Sequence, residues 1–156
     1  MGFTVENTND IHRLGSDQTV VFNRVVYNMG DAFKQNTGIF IAPFPGVYTF
    51  FFDIRVLSRS YACWINLVRD NEVMDMVYAK SDLGPYDEES NSNFPFFYLE
   101  SNNNVWLKSK RYKDFSCSID DLSSSYPAIS VSRDFDDSVF TFLMLSYFTI
   151  GDNGKV

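Results

Sequence analysis

The stretch TGIFIAPFPGVYTFFFDI, residues Thr37 to Ile54, decides the fold class of this 156-residue chain. Pro43 ends a short apolar strand, a Pro-Gly pair turns the chain, and a second strand runs from Val47 to Leu57. Alternate positions of the second strand are apolar: Tyr48, Phe50, Phe52, Ile54 and Val56. Because alternate side chains of a strand point to one face, this pattern predicts a β-strand with one face in a core.

The rest of the chain repeats short apolar runs separated by turn residues. We predict strands over 18–28 and 139–150, a hairpin over 61–79 that turns at Arg69 to Glu72, and a second hairpin over 94–112 with its tip at Ser101 to Asn104. Turn-forming and charged residues dominate 29–38, 80–93 and 113–138, which we read as loops. Many short antiparallel strands in one domain of this size predict an all-β sandwich, jelly roll or barrel.

Charge and hydropathy exclude several kinds of partner. The formal net charge is −7, so the surface repels nucleic-acid phosphates and we expect no nucleic-acid partner. No apolar run reaches the eighteen or so residues of a membrane helix, so we expect no membrane insertion. The sequence also has no recognisable signal peptide at its N-terminal end.

The sequence contains no catalytic motif. It lacks a glycine-rich phosphate loop, a Gly-x-Ser-x-Gly nucleophile turn and a His-Glu-x-x-His metal motif. The only histidine, His12, lies in a polar run, which is typical of a solvated loop residue. We therefore expect a protein that is not an enzyme.

The cysteines and tryptophans point to structural roles. Cys63 lies on the inward side of its predicted strand, so we expect a buried free thiol, while a bond to Cys117 stays open if the long polar segment folds back over that strand. Trp64 and Trp106 are strand residues, for which packing or subunit-interface area is favoured over a ligand platform.

Two acidic segments could hold a hard cation. The first contains Asp82, Asp87, Glu88 and Glu89, and the second contains Asp120, Asp121, Asp134, Asp136 and Asp137. Calcium takes six to eight oxygen ligands, but neither segment has the spacing of a twelve-residue calcium loop. Spacing alone therefore favours solvated surface charge over a metal site.

The opening stretch and its flanks resemble the core signature of the complement C1q globular-head domain. The matching residues are Phe22, Tyr27, Asn28, Phe33, Thr37, Gly38, Phe40, Pro45, Gly46, Tyr48 and Phe50. GFTV at 2–5, INLVRDNEVM at 65–74, NNNVWLKS at 102–109 and DDSVFTFLMLSY at 136–147 resemble further strands of that family. The resemblance thus implies one domain over 1–151 and a tail over 152–156, without the collagen-like Gly-x-y stalk that often precedes such domains.

This resemblance implies a ten-stranded jelly roll of the kind shared with tumour-necrosis-factor-like ligands. Such domains usually form tight homotrimers through aromatic faces, which would account for Phe51, Phe96 and Tyr98 as aromatics beyond the needs of one core. Some members bind calcium near the trimer axis, through acids in the loop before the strand equivalent to 94–99. That implies a metal site at Asp82 and Glu89 with Asp87 and Glu88 beside them, and calcium is the only cofactor implied.

The resemblance also implies a secreted, extracellular recognition protein, such as the stalkless lectin-like binders of innate immunity in invertebrates. Its ligand would be a microbial or cell-surface glycan or another surface pattern. The candidate ligand loop is 113–138: Tyr112, Phe115 and Tyr126 would stack on sugar rings, with Arg133, Asp134 and Asp136 as polar partners. A surface insertion without a ligand is an equal interpretation. The alternative functions are a trimeric signalling ligand for a cell receptor and an acidic, calcium-associated matrix protein.

Overall fold

The computed structural model describes residues 2–6, 14–57, 62–80, 88–110 and 141–146. These residues form eleven strands and no helix, and so none that could span a membrane. The strands are β1 (Gly2–Glu6), β2 (Arg24–Met29), β3 (Phe33–Lys34), β4 (Ile39–Ile41), β5 (Gly46–Leu57), β6 (Ala62–Arg69), β7 (Glu72–Lys80), β8 (Glu88–Asn93), β9 (Phe96–Leu99), β10 (Asn104–Lys110) and β11 (Thr141–Ser146).

The strands form two antiparallel sheets. The first sheet has the order β2-β1-β11-β5-β8, with β9 paired to the other part of the same edge of β5. The second has the order β3-β4-β10-β6-β7. The predicted all-β class is confirmed, and the described residues contain one strand more than the ten that the resemblance implied. Strand β3, which is only two residues long, lies inside a segment that the sequence predicts as a loop.

The core lies between the two sheets, and its pattern is the one that the sequence predicts. Tyr48, Phe50, Phe52 and Ile54 of β5 are at most 3% exposed, and Cys63, Ile65 and Leu67 of β6 face them from the second sheet. The aromatic rings also contact one another: the ring centroids of Phe3 and Phe33 are 4.7 Å apart, and those of Phe50 and Phe97 are 5.1 Å apart. Burial of each such side chain stabilises the fold by roughly 1.5–3 kcal/mol.

One glycine of the family signature has a clear structural reason. Gly38 has φ +70°, in the left-handed region, and a Cβ there would overlap the backbone oxygen of Val20. A larger residue would therefore be strained and would also push away the segment that precedes β2. This contact keeps the 14–23 segment against the second sheet.

That same segment differs from its predicted conformation. The sequence predicts a strand over 18–28, but β2 begins only at Arg24, and the residues before it run along β10. The N–H of Gln18 donates to Ser109 Oγ at 3.0 Å, and this hydroxyl donates to the carbonyl of Gly15 at 2.5 Å. Together with backbone hydrogen bonds such as that from the N–H of Val20 to the carbonyl of Leu107 at 2.9 Å, these bonds hold the segment against β10 in the second sheet.

The predicted second hairpin is wrong. β9 pairs with β5 in the first sheet, whereas β10 lies between β4 and β6 in the second sheet. Leu99 and Val105, on either side of the turn, are both buried, but they enter the core from opposite sheets. The turn is therefore a corner between the two sheets. The residues on either side of it alternate between apolar and polar as they would in a hairpin, so the sequence pattern does not distinguish the two.

The predicted loop over 80–93 is partly a strand. β8 pairs with Phe52–Leu57 of β5, although its sequence EESNSN has no apolar alternation. An edge strand with little apolar burial is held mainly by backbone hydrogen bonds, which leave no trace in hydropathy. Side chains support it too: the amide of Asn91 donates to the carbonyl of Tyr78 at 2.7 Å, and that of Asn93 to Asp75 Oδ1 at 2.9 Å.

The expectation of a free thiol is also wrong. Cys63 is buried, as predicted, but it is disulfide-bonded. Cys117 is the only other cysteine in the sequence and lies outside the described residues.

Candidate functional site

The residues predicted to bind calcium are only partly described. Glu88 and Glu89 belong to β8, where their backbones pair with Leu57 and Val56, and the side chain of Glu89 is exposed. Asp82 and Asp87 lie outside the described residues. Within the described ranges, no three His, Cys, Asp or Glu side chains are grouped so as to hold a metal ion. The calcium site stays a prediction.

The predicted ligand loop lies outside the described residues as a whole. This holds for Tyr112, Phe115, Tyr126, Arg133, Asp134 and Asp136, and for the second acidic segment. The described surface offers two other candidates, which are the outward faces of the two sheets.

The outward face of the first sheet is rich in exposed aromatic side chains. Since Tyr48, Phe50 and Phe52 point into the core, Val47 and Phe51 point outward from the same strand. On β9, Phe96 and Tyr98 stand opposite Thr49 and Val47, and Phe96 is 74% exposed. We call this surface the aromatic face; its members are Tyr27, Met29, Val47, Phe51, Phe94, Phe96 and Tyr98.

The strand register relates the members of the aromatic face on β2 to those on β9. One row passes through Met29, Gly2, Leu145, Thr49 and Phe96, on five neighbouring strands. The ring centroids of Phe51 and Phe94 are 6.3 Å apart, which extends the apolar surface beyond that row. A contiguous exposed apolar surface of this kind marks a protein interface more often than a small-molecule site.

Sequence reasoning found part of this face. Phe51, Phe96 and Tyr98 were expected to lie outside the core, and the structure places them on its outer surface. Val47 was missed, although it follows from the period-two alternation of β5. Tyr27 and Met29 were missed because only the pairing of β2 with β1 places them in the same sheet as β5.

The outward face of the second sheet holds both tryptophans. Trp64 stacks on Tyr78 of the neighbouring strand, with ring centroids 4.1 Å apart and planes 29° from parallel. Asn66 lies two residues further along β6, opposite Met76 on one side and Lys108 on the other. We call this surface the tryptophan face; its members are Trp64, Asn66, Met76, Tyr78, Trp106 and Lys108.

Asn66 is the unusual residue of the tryptophan face. It alternates with the inward Ile65 and Leu67, so its side chain points outward, yet it is only 9% exposed. Its Oδ1 atom is buried and has no hydrogen-bond partner. Sequence reasoning missed this residue; the signal was a lone amide at an outward position of a strand that also bears Trp64.

A third polar cluster joins two turns. Asp70, in the β6–β7 turn, accepts hydrogen bonds from the backbone N–H of Asn104 at 2.8 Å and from the side-chain amides of Asn103 and Asn104. Burial pushes the pKa of Asp70 upward, but these bonds and the neighbouring Arg69 charge outweigh it, so the pKa is lowered. The carboxylate is thereby occupied in fastening the corner before β10 to the second sheet.

A groove of about 360 Å³ lies beside β2 and β3. Its polar groups already bind one another: the amide of Asn28 pairs with the backbone of Phe33 at 2.9 and 3.2 Å, and Lys34 Nζ lies 3.0 Å from Asp31 Oδ2. These bonds close the loop between the two strands. The polar groups of this groove therefore stabilise the loop, and we do not take the groove as a candidate ligand site.

Comparison with known proteins is consistent with this geometry. The family model described as "C1q domain" matches residues 2–126. Caprin-2 of Danio rerio is 38% identical over 95 residues, which cover 61% of this chain and 10% of that protein. Complement C1q tumor necrosis factor-related protein 7 of Mus musculus is 33% identical over 89 residues, which cover 57% and 29%. The chain thus spans less than a third of the length of these two relatives.

Solved structures share the architecture. The globular domain of zebrafish Complement 1qA protein superposes with a TM-score of 0.66 at 16% identity, covering 94% of this chain and 97% of that one. Murine APRIL superposes with a TM-score of 0.55 at 11% identity, covering 93% and 100%. At these identities the likeness shows the fold alone, which is an antiparallel jelly roll of the C1q and tumour-necrosis-factor type.

Proposed function

The chain belongs to the C1q-domain family, and from this premise we propose that it is a secreted homotrimeric recognition protein that binds microbial or cell-surface glycans or similar surface patterns. Members of this family are generally recognition or ligand proteins rather than enzymes. The role requires binding surfaces and avidity, and no catalytic group takes part in it.

The observation that carries the proposal is the aromatic face. Phe94, Phe96 and Tyr98 are each at least half exposed on a sheet that already has a complete core beneath it. Burying apolar area in a subunit contact gains roughly 25 cal/mol per Å² before the costs of association. Three copies around an axis would cover these faces and leave the tryptophan faces outside.

Trimerisation would also supply affinity. A shallow sugar site binds weakly, but three sites held in one assembly raise the effective affinity for a multivalent surface by about 10²–10⁴. The ligand residues proposed in this assembly remain Tyr112, Phe115, Tyr126, Arg133, Asp134 and Asp136. Calcium at Asp82, Asp87, Glu88 and Glu89 is proposed to order the adjoining loop.

The disulfide of Cys63 supports the proposed extracellular location. Disulfides form and persist in oxidising compartments and are rare in the reducing cytosol. A bonded Cys63 in the core therefore favours a protein that folds on the secretory route.

A glycan array probed with the full chain, with and without calcium, tests the recognition role. Sugar binding that strengthens with calcium supports the proposal. Saturable binding to one cell-surface receptor without sugar binding would favour the signalling ligand instead. High-capacity, weak calcium uptake with neither activity would favour the acidic matrix protein, for which the charge of −7 is apt.

A further inference from the structure

The unpartnered oxygen of Asn66 lies in the middle of the tryptophan face. A buried acceptor without a hydrogen bond destabilises the molecule, so such groups are rare unless water or a ligand binds them. Rotating the amide by half a turn does not remove the problem, because it would bury the NH₂ group in the same place. In the orientation that the structure has, Oδ1 is a buried acceptor that lacks a donor.

The neighbouring side chains do not supply that partner. Lys108, directly opposite Asn66 on β10, places its Nζ 3.2 Å from Asp17 Oδ1 and makes no hydrogen bond to Asn66 Oδ1. Met76, opposite on β7, has a thioether that cannot donate. Both are long, unbranched side chains, so they can move aside to admit a ligand at the amide.

The surroundings of Asn66 restrict the chemistry of that ligand. Trp64 precedes it by two residues on β6, and Trp106 lies diagonally across on β10, so both tryptophans are neighbours of Asn66 on the same face of the sheet. Of the lysines on the same face of β10, Lys108 is paired with Asp17, and the exposed Lys110 lies one pair further along, opposite Trp64. A fitting ligand is uncharged, donates a hydrogen bond to Oδ1 and presents an apolar surface to the rings.

We propose that the tryptophan face binds a neutral saccharide, with Asn66 as its polar anchor. One hydroxyl would donate to Oδ1, an adjacent hydroxyl would accept from Nδ2, and the C–H face of the sugar ring would pack on the indoles. Aromatic side chains with one well-placed amide are a common arrangement in small-ligand sites. The inference rests on the proposed function for its class of ligand, but its site is distinct from the 113–138 loop.

Tryptophan fluorescence tests the site directly, because Trp64 and Trp106 are the only tryptophans in the sequence. The full chain is titrated with neutral methyl glycosides of mannose, galactose and N-acetylglucosamine. We expect a saturable change in emission with at least one of them. If a sugar binds the chain on the array but does not change the tryptophan emission, the site is wrong and the recognition role stands. If no sugar binds in either assay, the site and the recognition role are both wrong.

Asn66→Leu separates the anchor from a structural role. The substitution removes the unpartnered amide and keeps a similar volume, so we expect an equal or higher melting temperature together with about tenfold weaker sugar binding. Asn36→Leu, at an exposed position in the loop after β3, is the matched control and should change neither. If Asn66→Leu is more stable but binds sugar as tightly as the original chain, water alone occupies the amide and the proposal is wrong.

Discussion

The hydroxyl of Tyr48 donates a hydrogen bond to the backbone carbonyl of Phe44 at 2.7 Å, across the turn by which the chain enters β5. The ring of Tyr48 is buried against Phe40, with centroids 5.6 Å apart. Burial raises the pKa of this hydroxyl, although the bond to Phe44 acts in the opposite direction, so it stays protonated as a donor. One side chain thus joins the core to the Pro-Gly turn.

This relationship predicts two different losses of stability. Tyr48→Phe removes the hydrogen bond alone and should lower the free energy of unfolding by about 1 kcal/mol. Tyr48→Ala also removes the ring and should cost about 3–5 kcal/mol. Urea denaturation of both variants provides the measurement, and a cost below about 1 kcal/mol for the alanine variant would show that the ring does not support the core.

The aromatic face predicts the assembly state. The original chain should sediment as three subunits at micromolar concentration, whereas Phe96→Ser with Tyr98→Ser should sediment as a monomer, since central interface aromatics often contribute 2 kcal/mol or more each. Met76→Ser, 44% exposed on the other sheet, is the control and should stay trimeric. A monomeric original chain would contradict the trimer outright.

The turn cluster predicts a pH dependence. Because the pKa of Asp70 is lowered in the folded state, its contribution is present above the unfolded value of 3.8 and is lost as pH falls through the lower folded value. A double-mutant cycle of Asp70→Ala and Asn104→Ala, measured by denaturation, should therefore give a favourable coupling at pH 7 that shrinks below pH 4. A coupling that is unchanged at pH 2.5 would show that the charge of the carboxylate is not what holds the corner.

The calcium prediction depends on residues 82 and 89. If the resemblance identifies them correctly, calcium should raise the melting temperature of the original chain, and Asp82→Ala with Glu89→Ala should abolish that increase. Glu72→Ala is a suitable control, because Glu72 is an exposed carboxylate paired with Arg69 in a turn. Equal calcium-dependent melting in the original chain and the double variant would refute the assignment.

The sequence patterns predicted the buried residues correctly in strands that bury only one of their two faces. The alternation of β5 placed Tyr48, Phe50, Phe52 and Ile54 in the core, and that of β6 placed Cys63, Ile65 and Leu67 there, because period two translates directly into a buried face. The turn at Asp70 and Asn71 was also predicted, and both residues have positive φ.

The failures have a common cause, which is that pairing partners lie far apart in sequence. Whether Phe96–Leu99 and Asn104–Lys110 pair with each other or with different sheets depends on where β5 and β6 already lie. Strand β8 exists because β5 offers it a backbone edge. The lone amide of Asn66 could be read from the sequence. That its Oδ1 atom has no hydrogen-bond partner follows only from the register of β6 with β7 and β10.

The position of β11 has a consequence for how this domain folds. Leu145 pairs with Gly2 on one side and Thr49 on the other, so the middle strand of the first sheet is the last of the described strands in chain order. Without β11, β1 can pair with β2, and β5 can pair with β8 and β9, but no other described strand joins these two parts into one sheet. The first sheet can therefore close only when its last strand joins two strands that lie far from it in sequence, and such dependence on distant contacts slows folding.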